Sequence, residues 1–96
     1  MAAVTTATVA TAHGSRYLQQ LCKHWSHKFA VDFTPEAGTI ALPFGQTALA
    51  ATPEALTVTI TAEEAEALPR AKQVVADHLD RFAFREAPLP FEWVDG

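Results

Sequence analysis

The ninety-six-residue chain has one cysteine, one methionine, one tyrosine and four glycines, and its seven lysines and arginines are outnumbered by eleven acids. Each shortage excludes something. A lone Cys22 forms no internal disulfide, so no disulfide framework holds the fold. The formal net charge of −4 argues against wrapping a phosphate backbone, where affinity comes mainly from Lys and Arg neutralising phosphates. No apolar run approaches the ~18 residues of a membrane-spanning helix. The opening "MAAVTTATVATAHGSR" has neither a basic start nor a continuous apolar stretch, so it does not read as a secretory signal. Nucleic acid and membrane are set aside as partners, and the expectation is a soluble cytoplasmic domain. With 49% hydrophobic residues, residues 1–96 are expected to form a single domain with one core and no metal or disulfide staples.

What is present has a clear order of periods. "VTTATVAT" is rich in Thr and Val and reads as a first strand. Ser15 follows as an N-cap, and Leu18, Leu21, Cys22, Trp25 and Phe29 form one helical stripe that ends near His27. From Lys28 the period becomes two: Phe29, Val31 and Phe33, then Ile40, Leu42 and Phe44, then Leu49, then Leu56, Val58 and Ile60. The turns "TPEAG", "PFGQ" and "TPEA" between these runs are short, which predicts an antiparallel meander. Thr61 is expected to cap a second helix with Glu63 and Glu64 in its first turn, or "AEEAEAL" forms a separate short turn before Pro69. Beyond it Leu68, Ala71, Val75, Leu79 and Phe82 make a buried stripe, and Phe84, Phe91 and Trp93 are expected to pin the tail. The fold class is therefore α+β, an antiparallel sheet with two helices on one face, in the order β-α-β-β-β-β-α.

The stretch "HGSRYLQQLCKHWSHKF" gathers His13, Arg16, Tyr17, Cys22, His24 and His27. Cys22 and His24 look like metal ligands until they are wound on a helix at ~100° per residue, where they stand about 160° apart. Cys22 then belongs to the core, as free cysteines commonly do. His24 and His27 lie about 60° apart on the same scale and make half of a site. Zinc requires a third protein ligand, which the sequence does not place; His78 is on the other helix. The reading preferred here puts His24 at the core boundary and His27 on the solvated face, with no metal and no cofactor. Arg16 stands at the helix start, where a cation opposes the dipole. Beside Ser15, His13 and free N–H groups it is either part of an anion-binding corner or a surface residue paired with a carboxylate.

Other chemistries find little support. Ser15 is not in a nucleophile elbow, a buried Cys22 lacks the positive surroundings of a reactive thiolate, and no phosphate loop or dinucleotide fingerprint is present. Asp77, Asp80, Glu63, Glu64 and Glu66 read as a solvated acidic face. The sheet face away from the helices should carry Ala30, Asp32, Thr39, Ala41, Ala48, Ala50, Thr57 and Thr59. RNA-binding sheets place stacking aromatics there, so this face suits its own copy better, and a homodimer is expected.

Three segments also resemble a family. Ser15-Arg16-Tyr17-Leu18, Gln20-Leu21, His24-Trp25 and His27-Lys28-Phe29, then Pro43-Phe44-Gly45, then His78-Leu79 and Arg81 through Glu86 are similar to the motifs of the uncharacterised bacterial family DUF2218, over about Val4 to Trp93. In some members the domain is joined to a siderophore-interacting reductase, which implies an accessory role near iron or siderophore handling. The strand order is also similar to the TATA-binding-protein-like fold of the last phosphohexomutase domain, an analogy that transfers no function. The leading expectation is a non-enzymatic binding or accessory domain whose polar corner, His13, Arg16, Tyr17, His24 and His27, takes a small anionic ligand or a siderophore-related partner. The alternatives are a small enzyme using a histidine as acid or base and a structural dimerisation module.

Overall fold

Leu56, Val58 and Ile60 are each fully buried while Thr57, Thr59 and Thr61 between them are only partly so, and this alternation makes one strand the centre of the sheet. The computed structural model describes residues 3–96, as β1 (Ala3–Ala10), α1 (Gly14–Trp25), β2 (Val31–Phe33), β3 (Ala37–Leu42), β4 (Gly45–Ala51), β5 (Ala55–Ala62), α2 (Leu68–Phe82) and β6 (Trp93–Asp95). The six strands lie in the order β2-β3-β4-β5-β1-β6, and every neighbouring pair is antiparallel. Both helices cover one face, α1 over β3 and β4, α2 over β5 and β1.

The turns repeat a device. Thr34-Pro35-Glu36-Ala37 and Thr52-Pro53-Glu54-Ala55 are the same four residues. In each, the threonine hydroxyl accepts from the backbone N–H groups two and three residues on, at 3.3 and 3.2 Å in the first and 3.2 and 3.0 Å in the second. Proline in the next position supplies the φ that such a turn needs. At Gly38 a Cβ would stand 2.8 Å from Cys22 Sγ, so glycine is what lets α1 approach β3 so closely.

The core is a sandwich of the two helix stripes on the inner sheet face: Leu18, Leu21 and Cys22 from α1, Ala71, Val75 and Leu79 from α2, against Val9, Ile40, Leu56, Val58 and Ile60, all 0% exposed. Each such aliphatic side chain contributes about 1.5–3 kcal/mol by burial. Burial also pushes the Cys22 thiol up to about 11, which leaves it protonated and inert.

Several local expectations are corrected. The sheet has a sixth strand: Trp93–Asp95 pairs with Thr5–Ala7, held further by Lys72 Nζ on Asp95 at 2.8 Å. Thr61 does not cap a helix but continues β5, paired with Val4 on one side and Gln46 on the other. A short 3-10 turn, Ala65–Ala67, precedes α2, and Pro69 sits in the first turn of α2, where its missing N–H is harmless. Ser15 is not the N-cap. That position is His13, with no side-chain cap bond, while Ser15 Oγ donates to the Pro35 carbonyl at 2.5 Å and accepts from Gln19 at 3.0 Å. The helix ends at Trp25, and Phe29 reaches the core through the following turn. In the tail Phe84 is 71% exposed, whereas Phe91 and Trp93 pack against the core as expected and Leu89, at 5%, is a further anchor. Asp80 is no idle acid: its Oδ1 accepts from the Leu89 N–H at 2.9 Å.

Thr47 stands in the core beside Ile60 and Ile40, fully buried, with a hydroxyl that finds no hydrogen-bond partner. An unpaired buried hydroxyl costs about 1–3 kcal/mol. Thr47→Val keeps the shape and removes that cost, so we expect it to raise the urea midpoint by an amount worth about 1 kcal/mol. A lower midpoint would mean that the hydroxyl is bonded in solution.

Candidate functional site

At one end of the helix layer three segments meet: the residue after β1, the first two turns of α1 and the chain leaving α2. Thr11, only 5% exposed, directs its hydroxyl at the Glu86 carboxylate, 3.0 and 3.1 Å from its two oxygens, and accepts from the His13 N–H at 3.1 Å. Tyr17, 4% exposed, donates its hydroxyl to the same carboxylate through a short hydrogen bond. The His13 ring stands edge-on to Tyr17, 6.2 Å between centres.

These contacts frame a cleft of about 320 Å³. His13, Arg16, Tyr17 and Gln20 form one side, and Phe82, Phe84, Arg85 and Glu86 the other. Arg85 lies 5.7 Å from the centre of the Phe84 ring, a cation–π distance. The only ion pair among the described residues is Lys72 with Asp95, so neither Arg16 nor Arg85 is neutralised. Two guanidiniums thus face a cleft whose one carboxylate already holds Thr11 and Tyr17. A larger hollow of about 480 Å³, between the Pro43–Phe44 turn and Glu63 and Glu64, contains acids and no cation.

The five residues singled out in the sequence do not all meet. His13, Arg16 and Tyr17 line the cleft. His24 lies two turns further along α1 than Tyr17, its ring 5.9 Å from Phe82 and 5.3 Å from His78. His27 is exposed in the turn after α1 and does not line the cleft. Ser15 faces away, toward Pro35. Sequence reasoning did not place Glu86, Arg85, Gln20, Thr11 or Phe82 at this corner. The signal for three of them, Phe82, Arg85 and Glu86, lay in the motif Arg81 through Glu86, which carries the resemblance and folds back onto Arg16-Tyr17.

The electrostatics follow from this packing. Burial first, then the Glu86 hydrogen bond and charge, push the Tyr17 phenol above its ordinary value. The Tyr17 bond in turn holds the Glu86 carboxyl below the usual carboxylate range, with Thr11 and His13 adding to it against partial burial. His24 is lowered by burial, then by the neighbouring His78, Lys28, Arg81 and His27, so it is neutral at pH 7. The corner holds a fixed anion, two free cations and an aromatic wall, which equips it to orient a small charged molecule.

Because folding depresses the Glu86 pKa, the unfolded chain takes up the proton first as pH falls. The contact's stabilising effect is whole above about pH 4.3, the free glutamate value, and is lost as pH falls through the lower folded value. We expect Tyr17→Phe to cost about 0.5–1.5 kcal/mol at pH 7, toward the low end because Glu86 is solvent-exposed. The gap between wild type and variant should close in acid. Urea unfolding of both from pH 7 to 3 checks this, and a gap independent of pH would assign the loss to something other than Glu86.

Comparison with known proteins agrees with this architecture. A solved NMR structure of PA4090 from Pseudomonas aeruginosa superimposes with a TM-score of 0.79 at 36% identity, covering 95% of this chain and 94% of that one. No curated protein matches. Residues 6–94 match the family described as "Uncharacterized protein conserved in bacteria (DUF2218)", a span that runs from within β1 to within β6, and the chain belongs to that family.

Proposed function

We propose that the chain is a cytoplasmic, non-enzymatic binding domain that takes a small organic anion in the cleft between α1 and the segment after α2. One observation carries this: Arg16 and Arg85 both face the cleft and neither has a carboxylate partner among the described residues. Guanidinium is the group best matched to carboxylate or phosphate oxygens. Phe82 and Phe84 add apolar surface beside the charge, which suits an organic anion better than an inorganic one. The volume, about 320 Å³, is at the lower end of small-molecule sites. The link to iron and siderophores rests on the family resemblance alone, and it makes ferric siderophores and their carboxylate- or catecholate-bearing parts the first ligands to try.

The enzymatic alternative, a histidine acid or base, has less to stand on. His13 is the only histidine in the cleft, and the one carboxylate near it already accepts from Thr11 and Tyr17.

Thermal melting tests the binding reading, with citrate, salicylate, phosphate and ferric siderophores added at matched ionic strength so that screening is not mistaken for binding. A ligand at ten times its Kd stabilises by about 1.4 kcal/mol, several degrees in a chain this size. We expect at least one organic anion to stabilise wild type saturably, and Arg16→Glu and Arg85→Glu each to abolish the shift. Equal responses in wild type and both variants would sink the site.

A second reading has its own observation. Across the outer sheet face Thr57 and Thr59 on β5, Ala48 and Ala50 on β4, and Thr39 and Ala41 on β3 are uncharged, and Asp32, opposite Thr39 on the short edge strand β2, is the one charge beside them. Val94 on β6 adds an apolar side chain that is 70% exposed. Solvated sheet faces normally carry charged residues that discourage association, so this one fits a two-fold pairing with its own copy. We expect light scattering at high concentration to give a dimer for wild type and a monomer for Thr59→Lys. A monomeric wild type would remove the idea.

A further inference from the structure

Outside the cleft, two imidazoles from different helices face each other. The ring centres of His24 on α1 and His78 on α2 are 5.3 Å apart, with their planes at 47°. Two imidazoles bound to one tetrahedral ion, with metal–nitrogen distances of about 2.0–2.1 Å, bring their ring centres to roughly 5 Å. The pair therefore already has the spacing that a shared ion demands.

His78 is also oriented as a ligand would be. Its Nδ1 lies 2.8 Å from the Val74 carbonyl oxygen. A carbonyl only accepts, so Nδ1 is the donor, and in the neutral ring the lone pair is on Nε2. Metal-binding histidines commonly have the other ring nitrogen tied in this way. His24 is exposed, which leaves room for water in the remaining coordination positions. Trp25, 4.8 Å from His78, and Phe82, 5.9 Å from His24, wall the pair on the protein side.

The surroundings select the kind of ion. Lys28, Arg81 and His27 lie near enough to influence His24. The acids of α2 are turned elsewhere, Asp77 to Gln73 and Asp80 to the Leu89 N–H. An oxygen-seeking cation such as Mg²⁺ or Ca²⁺ finds no donor here, whereas a late first-row ion gains most from nitrogen ligands. Among the described residues no set of three His, Cys, Asp or Glu ligands forms, so the protein would supply two donors and leave the other positions open.

We propose that His24 and His78 together form an open, two-histidine site for a late first-row divalent ion, Cu²⁺ most tightly, bridging α1 and α2. The test is a titration of the chain, prepared without a histidine tag, with CuCl₂, and with ZnCl₂ as a weaker-binding comparison because zinc lacks its third protein ligand here. Trp25 fluorescence reports binding beside it, and calorimetry gives the stoichiometry. One equivalent should bind, either His24→Gln or His78→Gln should weaken it by about tenfold or more, and His13→Gln should leave it unchanged. Arg81→Gln, which removes an opposing charge, should tighten it. Line broadening by substoichiometric Cu²⁺ in the histidine NMR signals of the wild-type chain needs no variant and should fall first on His24 and His78. Unchanged binding in both glutamine variants, broadening centred on His13 or His27 instead, or no saturable binding would overturn the proposal.

Discussion

The Glu86 carboxylate is the contact on which the corner of the molecule depends. It joins groups 69 and 75 residues away in sequence, Tyr17 and Thr11, and so ties the end of β1, the start of α1 and the exit of α2 at one point. Ala83 at the exit of α2 is buried in the core, but Phe84 is exposed and Leu89 comes later, so Glu86 is the polar tie between this segment and α1. The cleft exists because this one anion satisfies two buried hydroxyl-bearing side chains.

The helices divide the rest of the polar chemistry between two places. Arg16 and Gln20 occupy successive turns of α1 on the cleft side, and His24 follows one turn on at the same spacing, facing His78. Phe82 touches both neighbourhoods, lining the cleft and meeting the His24 ring. What looked in the sequence like one histidine-rich cluster is a seam between two helices, with arginine at one end and a pair of imidazoles at the other.

Much of the fold was legible because its signals are local. Leu56, Val58 and Ile60 announce a strand wherever they are placed, and Leu18, Leu21, Cys22 and Trp25 announce a helix face. The paired "TPEA" turns carry their own hydrogen bonds. Trp93–Asp95 was not legible, because three residues show no period and their pairing is decided by β1, at the other end of the sequence. Thr61 misled for a related reason: threonine serves equally as a cap or a strand residue, and the neighbours Val4 and Gln46 chose. Ser15 had a good cap's chemistry but was claimed by Pro35 across a turn. The candidate site was half visible. The α1 side could be read from one helix, while Glu86, Arg85 and His78 depended on the phase of α2 against α1, which packing sets and no single segment records.

The position of β1 has a consequence for how the molecule is made. It is made before the other five strands of the sheet, yet it lies between β5 and β6, the last two of them in chain order. The β2-to-β5 meander can close on itself as it emerges, since each of its strands pairs with the next. β1, with its run of Thr and Val and both edges open, must wait. Non-local pairing of this kind is slow, and an unpaired strand edge invites other chains. Until β5 and β6 are made, β1 is therefore the strand of this sheet most open to pairing with another chain.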